Sequence, residues 1–199
     1  MASQVDVCNR ALIKIGGGQI TSISDNTKAA RILSGLWATV LQSELKKRYW
    51  SFALARASLA KLSTAPDWGF ANAYQLPVDY LKMVQVNDLY VAPSQQDYIN
   101  GDSSPYAIEG TTIATDFADP LKIRYVRNIT DPGLFDPLFV EVLASKLAYE
   151  SCYGIHQSRE GQKTAMEDYR MAVKDAAQSN AIERPPQSIP DDAWMLGRL

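Results

Sequence analysis

The sequence has a single histidine, His156, and two cysteines, Cys8 and Cys152. One histidine cannot build a multi-histidine metal site, and no Gly-x-Ser-x-Gly nucleophile turn accompanies it. His156 is therefore expected on the surface, in a loop between two helices. The two cysteines lie far apart without metal-like spacing, and both fall on helical patterns. Two reduced, buried thiols are expected in place of a disulfide. No run approaches the ~18 apolar residues of a membrane span. The first residues, Met1 to Asp6, lack a basic stretch followed by an apolar one. These absences predict a soluble chain made in the cytoplasm, with no membrane contact. There is also no surplus of positive charge. Lys and Arg total 20 against 22 Asp and Glu, for a net charge of −2. That balance excludes a dedicated DNA-coating protein but leaves room for transient contact with nucleic acid.

What is present is a chain of 199 residues, long enough for one domain, or for one domain with an insertion. A chain of that size buries roughly 70% of the surface it exposes when unfolded, so it needs no disulfide or metal. The organising stretch is Arg48-Tyr49-Trp50-Ser51-Phe52-Ala53. It stands where a long amphipathic pattern stops and a β-rich one begins. Trp50 and Phe52 are expected in the core. They would plug two layers together and set the angle between them.

Before that junction, Val5, Cys8, Ala11, Leu12 and Ile15 recur at helical spacing, and Gly16-Gly17-Gly18 ends the helix. Ser24-Asp25-Asn26 offers caps for a second helix, whose apolar face runs through Ala30, Leu33, Trp37, Val40, Leu41 and Leu45. Lys46, Lys47 and Arg48 suit its C-terminus, and Glu44 is placed to pair with Arg48 on the surface. Beyond the junction, an extended piece runs to Leu62. Pro77 confines the Tyr74–Leu81 stretch to a strand end and turn. Lys82 to Val86 and Leu89 to Val91 read as strands about an Asn87-Asp88 turn. The polar stretch from Gln95 to Pro105 reads as an exposed loop. A hairpin turns at Glu109-Gly110. Leu121 to Ile129 is the clearest strand, with Leu121, Ile123 and Tyr125 on one face and Lys122 and Arg124 on the other.

Asp136-Pro137 opens a third helix, with Asp as N-cap and Pro at the first position. Gly154 is expected to end it. A fourth helix from about Ser158 carries Ala165, Met166, Tyr169, Ala172, Val173 and Ala176 inward. After Ala181 the stripe is lost, and Pro185, Pro186 and Pro190 predict a stiff extended tail. The fold class is mainly α with inserted β: a four-helix bundle (1–50 and 134–180), a small antiparallel β-region (51–133) between helices two and three, and a C-terminal arm (181–199).

No catalytic residue, metal ligand or cofactor is assigned. The triple glycine follows a helix and lacks the Gly-Lys-Ser/Thr ending of a phosphate loop. The carboxylates Asp67, Asp79, Glu109, Asp116 and Asp119 are scattered through loops and turns. Arg56, Lys61, Lys122 and Arg124 could face a polyanion, but a solvated sheet face is the default. Trp194, Met195 and Leu196 form an apolar knot on the proline-stiffened tail and are the candidate partner-binding residues.

Several stretches, taken in order, resemble the phage head-to-tail adaptors, the family that includes the tail tubular protein A group. Cys8-Asn9-Arg10-Ala11-Leu12 with Ile15-Gly16 and Ile20-Thr21-Ser22-Ile23 is similar to that family's first helix and loop. Arg48, Trp50 and Phe52 match its basic-x-Trp-x-Phe signature, and Leu76-Pro77-x-Asp79 its Leu-Pro-x-Asp element. Ile108-Glu109-Gly110, Thr115-Asp116 and Thr130-Asp131-Pro132 through Phe135-Asp136-Pro137-Leu138-Phe139 continue the likeness. It covers about residues 5–180. Gly17-Gly18-Gln19 stands where many members have a proline-containing turn, and the tail beyond Ala181 does not align.

The resemblance implies a ring, typically of twelve copies, at the head–tail junction of a virion assembled in a bacterial cytoplasm. Its partners would be the portal protein, the tail tube or nozzle, copies of itself, and double-stranded DNA passing through the lumen. A near-neutral or acidic wall suits such a passage, because basic walls would hold the phosphates. The alternatives are a tail-associated enzyme that cleaves glycans and a nucleic-acid-binding module.

Overall fold

The computed structural model describes residues 2–87, 89–90 and 105–183. Helix α1, Gln4–Lys14, starts at a reciprocal cap. The Asp6 N–H donates to Ser3 Oγ at 3.1 Å, and the Ser3 N–H donates to Asp6 Oδ2 at 2.9 Å. Gly16, at φ +73°, ends it as expected. Helix α2, Lys28–Lys47, is capped by Thr27, whose Oγ1 accepts from the Ala30 N–H at 3.2 Å. The Ser24-Asp25-Asn26 cap is thus corrected. Asp25 instead accepts from the N–H groups of Thr21 and Ser22, which closes the loop ahead of the helix.

Helix α3, Pro137–His156, begins as predicted, with Asp136 Oδ1 accepting from the Leu138 N–H at 2.8 Å. It does not stop at Gly154. The helix runs two residues further, to His156, and ends where Gln157 takes a left-handed conformation at φ 53°. Gly154 serves close packing instead, since a Cβ there would sit 3.2 Å from Ile32 Cδ1 on α2. His156 is exposed, on the last turn of α3 rather than in a loop. Helix α4, Arg159–Ile182, is capped by Ser158. On its inner face only Ala165 and Ala176 are fully buried; Tyr169, Ala172 and Val173 pack partly against the core. Helix α3 packs against α1, α2 and α4.

The β-region holds two antiparallel sheets, not the one small sheet expected. Strands are β1 (Leu54–Leu59), β2 (Asn72–Gln75), β3 (Tyr80–Val86), β4 (Leu89–Tyr90), β5 (Tyr106–Glu109), β6 (Thr112–Thr115) and β7 (Leu121–Arg127). One sheet runs β1-β7-β3-β4, the other β2-β6-β5. A bridge between Lys61 and Tyr74 ties the chain after β1 to β2. The Glu109-Gly110 turn is present, with Gly110 at φ +60°. The loop expected from Gln95 to Pro105 lies, except for Pro105, outside the described residues.

The four-stranded sheet separates two apolar cores. Leu121, Ile123 and Tyr125 of β7 face Tyr74 and Ile113 of the smaller sheet. Val126 of β7 and Val84 of β3 point the other way, into the helical core. The strand read as apolar on one face and basic on the other thus turns its second face apolar where the helices cover it. Cys8 and Cys152 are both free and buried, Cys8 in the helical core, and burial pushes the Cys8 thiol up to about 12. The described structure is mixed α/β, with four α-helices and two small sheets.

Candidate functional site

The junction begins where α2 runs out. Arg48 adopts an extended backbone as the C-cap, and the chain then makes a single 3-10 turn over Ser51–Ala53 before β1. Trp50 is swung into the helical core with only 2% of its surface exposed. Its indole N–H donates to the Glu44 carbonyl at 2.9 Å, using a backbone acceptor in the helix's last turn. The indole meets the Phe139 ring edge-on at 5.1 Å between centroids. Phe52 lies 5.0 Å from Phe139 and 6.1 Å from Phe135, and Phe135 meets Phe139 at 5.3 Å and 83°. Four aromatic rings from two distant stretches therefore form one plug.

Asn180, near the end of α4, clamps the same turn. Its Oδ1 accepts from both the Ser51 N–H and Oγ, each at 2.9 Å, and its Nδ2 donates to the Tyr49 carbonyl at 3.0 Å. Beneath the junction lies Glu44, 2% exposed. Its carboxylate takes the Tyr169 hydroxyl at 3.1 and 3.0 Å and the Lys47 ammonium at 2.5 Å. The expected surface pair of Glu44 with Arg48 is therefore corrected. Arg48 leaves the helix in an extended conformation and is exposed, while the carboxylate turns inward. Lys82 of β3 caps the Tyr49 ring at 4.7 Å, which brings the sheet against the junction.

Leu76, Pro77 and Asp79 are not part of this plug. Leu76 is buried in the core between the sheets, and Pro77 begins the turn into β3, where the Tyr80 N–H donates to its carbonyl at 3.0 Å. Asp79 joins that turn to β7. Its Oδ1 accepts from Tyr125 Oη at 2.9 Å, and its carbonyl accepts from the Asn128 N–H at 2.6 Å. Desolvation first, then Asp79, pushes the Tyr125 phenol up to about 12. Trp194, Met195 and Leu196 lie outside the described residues.

The other acids do not converge. Asp116 accepts from the Ala71 N–H and Asp119 from the Lys61 N–H, both at 2.8 Å, while Asp67 and Glu109 are exposed. Within the triple glycine only Gly17 is closely packed: a Cβ there would stand 3.2 Å from Leu12 Cδ2. Among the described residues, no group of three His, Cys, Asp or Glu side chains could hold a metal, and no helix is long and apolar enough to cross a membrane.

Sequence reasoning missed Glu44, Tyr169 as its partner, and Asn180. For Glu44 there was a signal. It stands four residues after Val40 and three after Leu41, inside the apolar stripe of α2, where a surface carboxylate does not belong. For Asn180 there was none, since its partners lie about 130 residues earlier.

No protein-family model matches this chain, and no curated protein sequence matches it.

Proposed function

We propose that this protein is a structural adaptor of a phage head–tail junction. It would assemble as a ring between the portal and the tail tube or nozzle, with DNA passing through the lumen. The observation that carries this reading is the aromatic plug. Two of the stretches that resemble the adaptor family, Arg48 to Ala53 and Phe135 to Phe139, meet there ring against ring. A third, Leu76 to Asp79, is pinned to β7 through Tyr125. Residues that carry the likeness thus build joints between layers. That is what a part needs when its output is shape.

In this reading the four helices form a single bundle around α3, and the β-region is an insertion that reaches toward the tail. Trp194, Met195 and Leu196 belong to an arm that ties the subunit to a neighbour or to the portal. Rings held by head-to-tail contacts need two different surfaces on each subunit, and an arm supplies one more.

The test is co-expression with a portal protein encoded in the same genome, followed by mass measurement and electron microscopy. A ring of this protein on the portal is the expected result. A portal that never captures the protein overturns the reading. Removing residues 185–199 should weaken capture; undiminished capture would remove the arm from the account.

A further inference from the structure

The helices cover only part of the sheet face they meet. Leu54, Val84 and Val126 at one end pack into the helical core. Further along the same strands, Arg56 stands directly opposite Arg124, and Ser58 opposite Lys122. Strand alternation puts all four on the face of Leu54 and Val126. Arg56, Ser58 and Lys122 are exposed and Arg124 is half-buried. Among the described residues none of the three cations has an ion-pair partner. Asp119, at the far end of β1 and β7, is engaged by the Lys61 N–H. Like charges directly opposite across strands are destabilising, so this face favours an acidic cover.

The chain leaves α4 close to the same face. Asn180 accepts from the Ser51 N–H at 2.9 Å, and Ser51 begins the turn that leads into β1. Arg56 is therefore no more than about 17 Å of extended chain from that contact. Residues 184–199 lie outside the described residues, but their sequence carries the charge this face lacks. Asp191 and Asp192 stand together, well separated from Arg184 and Arg198, with Trp194 shortly after them. Pro185, Pro186 and Pro190 predict a stiff spacer ahead of the acids. Such a spacer covers about 25 Å between Glu183 and Asp191, so the acids reach the arginines with chain to spare. On an extended backbone Asp192 and Trp194 share a side, about 7 Å apart. A guanidinium binds a carboxylate through paired hydrogen bonds and stacks on an indole, so neighbouring arginines suit both residues.

We propose that the Asp191–Trp194 segment docks on the sheet of its own chain, with Asp191 and Asp192 against Arg56, Arg124 and Lys122 and with Trp194 over a guanidinium. The covalent tether is what makes such a contact hold. It presents the acids at an effective concentration on the order of 1 mM, so ion pairs too weak to retain a free peptide retain the arm. Duplex DNA suits the face less well, because the chain is acidic overall, with a pI near 5.4. The inference concerns one chain and does not rest on the adaptor reading. Where that reading holds, the arm is parked in the free subunit and must leave this seat before it ties to a neighbour or to the portal.

The experiment measures acrylamide quenching of Trp194 in the full chain at low protein concentration, taken by difference with Trp194→Phe. Raising salt from about 0.1 M to about 1 M shortens the screening length from about 10 Å to about 3 Å, and quenching should rise about twofold. Asp191→Asn with Asp192→Asn should give the same rise at low salt while leaving the sheet untouched. Arg56→Asp with Arg124→Asp should do so as well. The decisive arm adds Asp191→Arg and Asp192→Arg to that reversed chain. Protection of Trp194 should then return, which also shows that the reversed sheet folds. Protection should not depend on protein concentration, and mixing the arginine-reversed protein with an Asp191→Arg, Asp192→Arg protein should not restore it. Quenching of wild-type Trp194 that is indifferent to salt and to the two acids overturns the proposal. So does protection that returns on mixing, since the arm then sits on another molecule, or duplex DNA binding at about 0.1 M salt that the arginine reversal abolishes. If docking is absent and portal-bound rings still form, this inference falls and the adaptor reading stands. If docking is present and the portal captures nothing, the adaptor reading falls and the docked arm stands.

Discussion

The hydroxyl of Tyr169 on α4 lies 3.1 and 3.0 Å from the two carboxylate oxygens of Glu44 on α2. Lys47 completes the group, reaching Tyr169 Oη at 3.0 Å. Lys146 of α3 stands over the Tyr169 ring, 5.4 Å from its centroid. A buried carboxylate left without partners would cost several kcal/mol, so these donors are what lets Glu44 point inward. The result ties three helices together directly below the Trp50 plug.

Tyr169→Phe removes one donor and leaves the carboxylate buried. The expected loss is about 1.5–3 kcal/mol, lowering Tm by about 2–4 °C for each kcal/mol. The network also predicts a pH dependence. Desolvation first and then the Glu44 charge raise the Tyr169 pKa, against the Lys47 hydrogen bond. For Lys47, desolvation lowers the pKa, but the hydrogen bonds to Glu44 and Tyr169 outweigh it, and the net shift is upward. The folded state therefore holds both protons more tightly than the unfolded state does. Stability from this source is complete below about pH 10 and is lost as pH rises above it. Melting curves from about pH 8 to about pH 11 should fall steeply at the alkaline end. Tyr169→Phe should flatten part of that fall, and an unchanged slope would remove the network from the explanation.

Trp50→Phe keeps a ring against Phe139 but loses the bond to the Glu44 carbonyl, for an expected cost of about 1–2 kcal/mol. Trp50→Ala empties the plug and should cost about 3–5 kcal/mol. Chemical denaturation separates the two. If the alanine variant is no less stable than the phenylalanine one, the plug does not join the layers.

Asn180→Ala frees Ser51 and the Tyr49 carbonyl at once, and the expected loss is about 1–3 kcal/mol. Amide exchange should quicken at Ser51 in particular, because that N–H loses its acceptor. Asn180→Asp keeps the acceptor for Ser51 and loses the donor to Tyr49, so it should restore protection at Ser51 without full stability. Equal exchange in all three proteins would rule out the clamp.

Asp79→Asn removes the charge facing Tyr125 while preserving shape. The Tyr125 phenol, now near 12, should titrate lower but stay above its ordinary value, because desolvation is the larger cause of its shift. Tyrosinate absorbance, assigned by difference with Tyr125→Phe, reads this directly. The same variant tests the enzymatic alternative: loss of glycan turnover on this change would contradict a purely structural role.

Much of the local structure is legible from neighbouring residues. Asp136-Pro137 starts α3, Gly16 ends α1, and Gly110 turns the β5–β6 hairpin. In each case the deciding contacts lie within a few residues. Gly154 misleads because its small size serves a neighbouring helix, and Ser24-Asp25-Asn26 misleads because Asp25 closes its own loop first. The split of the β-region into two sheets was not legible. Strand partners such as β1 and β7 lie more than 60 residues apart, and alternation within a strand does not say which strand lies beside it.

By itself, then, the order of residues determined the Asp136-Pro137 start of α3, the Gly16 stop of α1, the hairpin turn, the stripes that face inward and the aromatic character of the junction. All of these follow from interactions within a turn or two of chain. The tertiary structure alone decided which donors meet Glu44 in the interior, that Asn180 grips the turn after α2, and that Arg56 stands opposite Arg124 across β1 and β7. These are meetings of side chains far apart in sequence. Their energies depend on burial and on charges brought near by folding, which the sequence pattern around each residue does not contain.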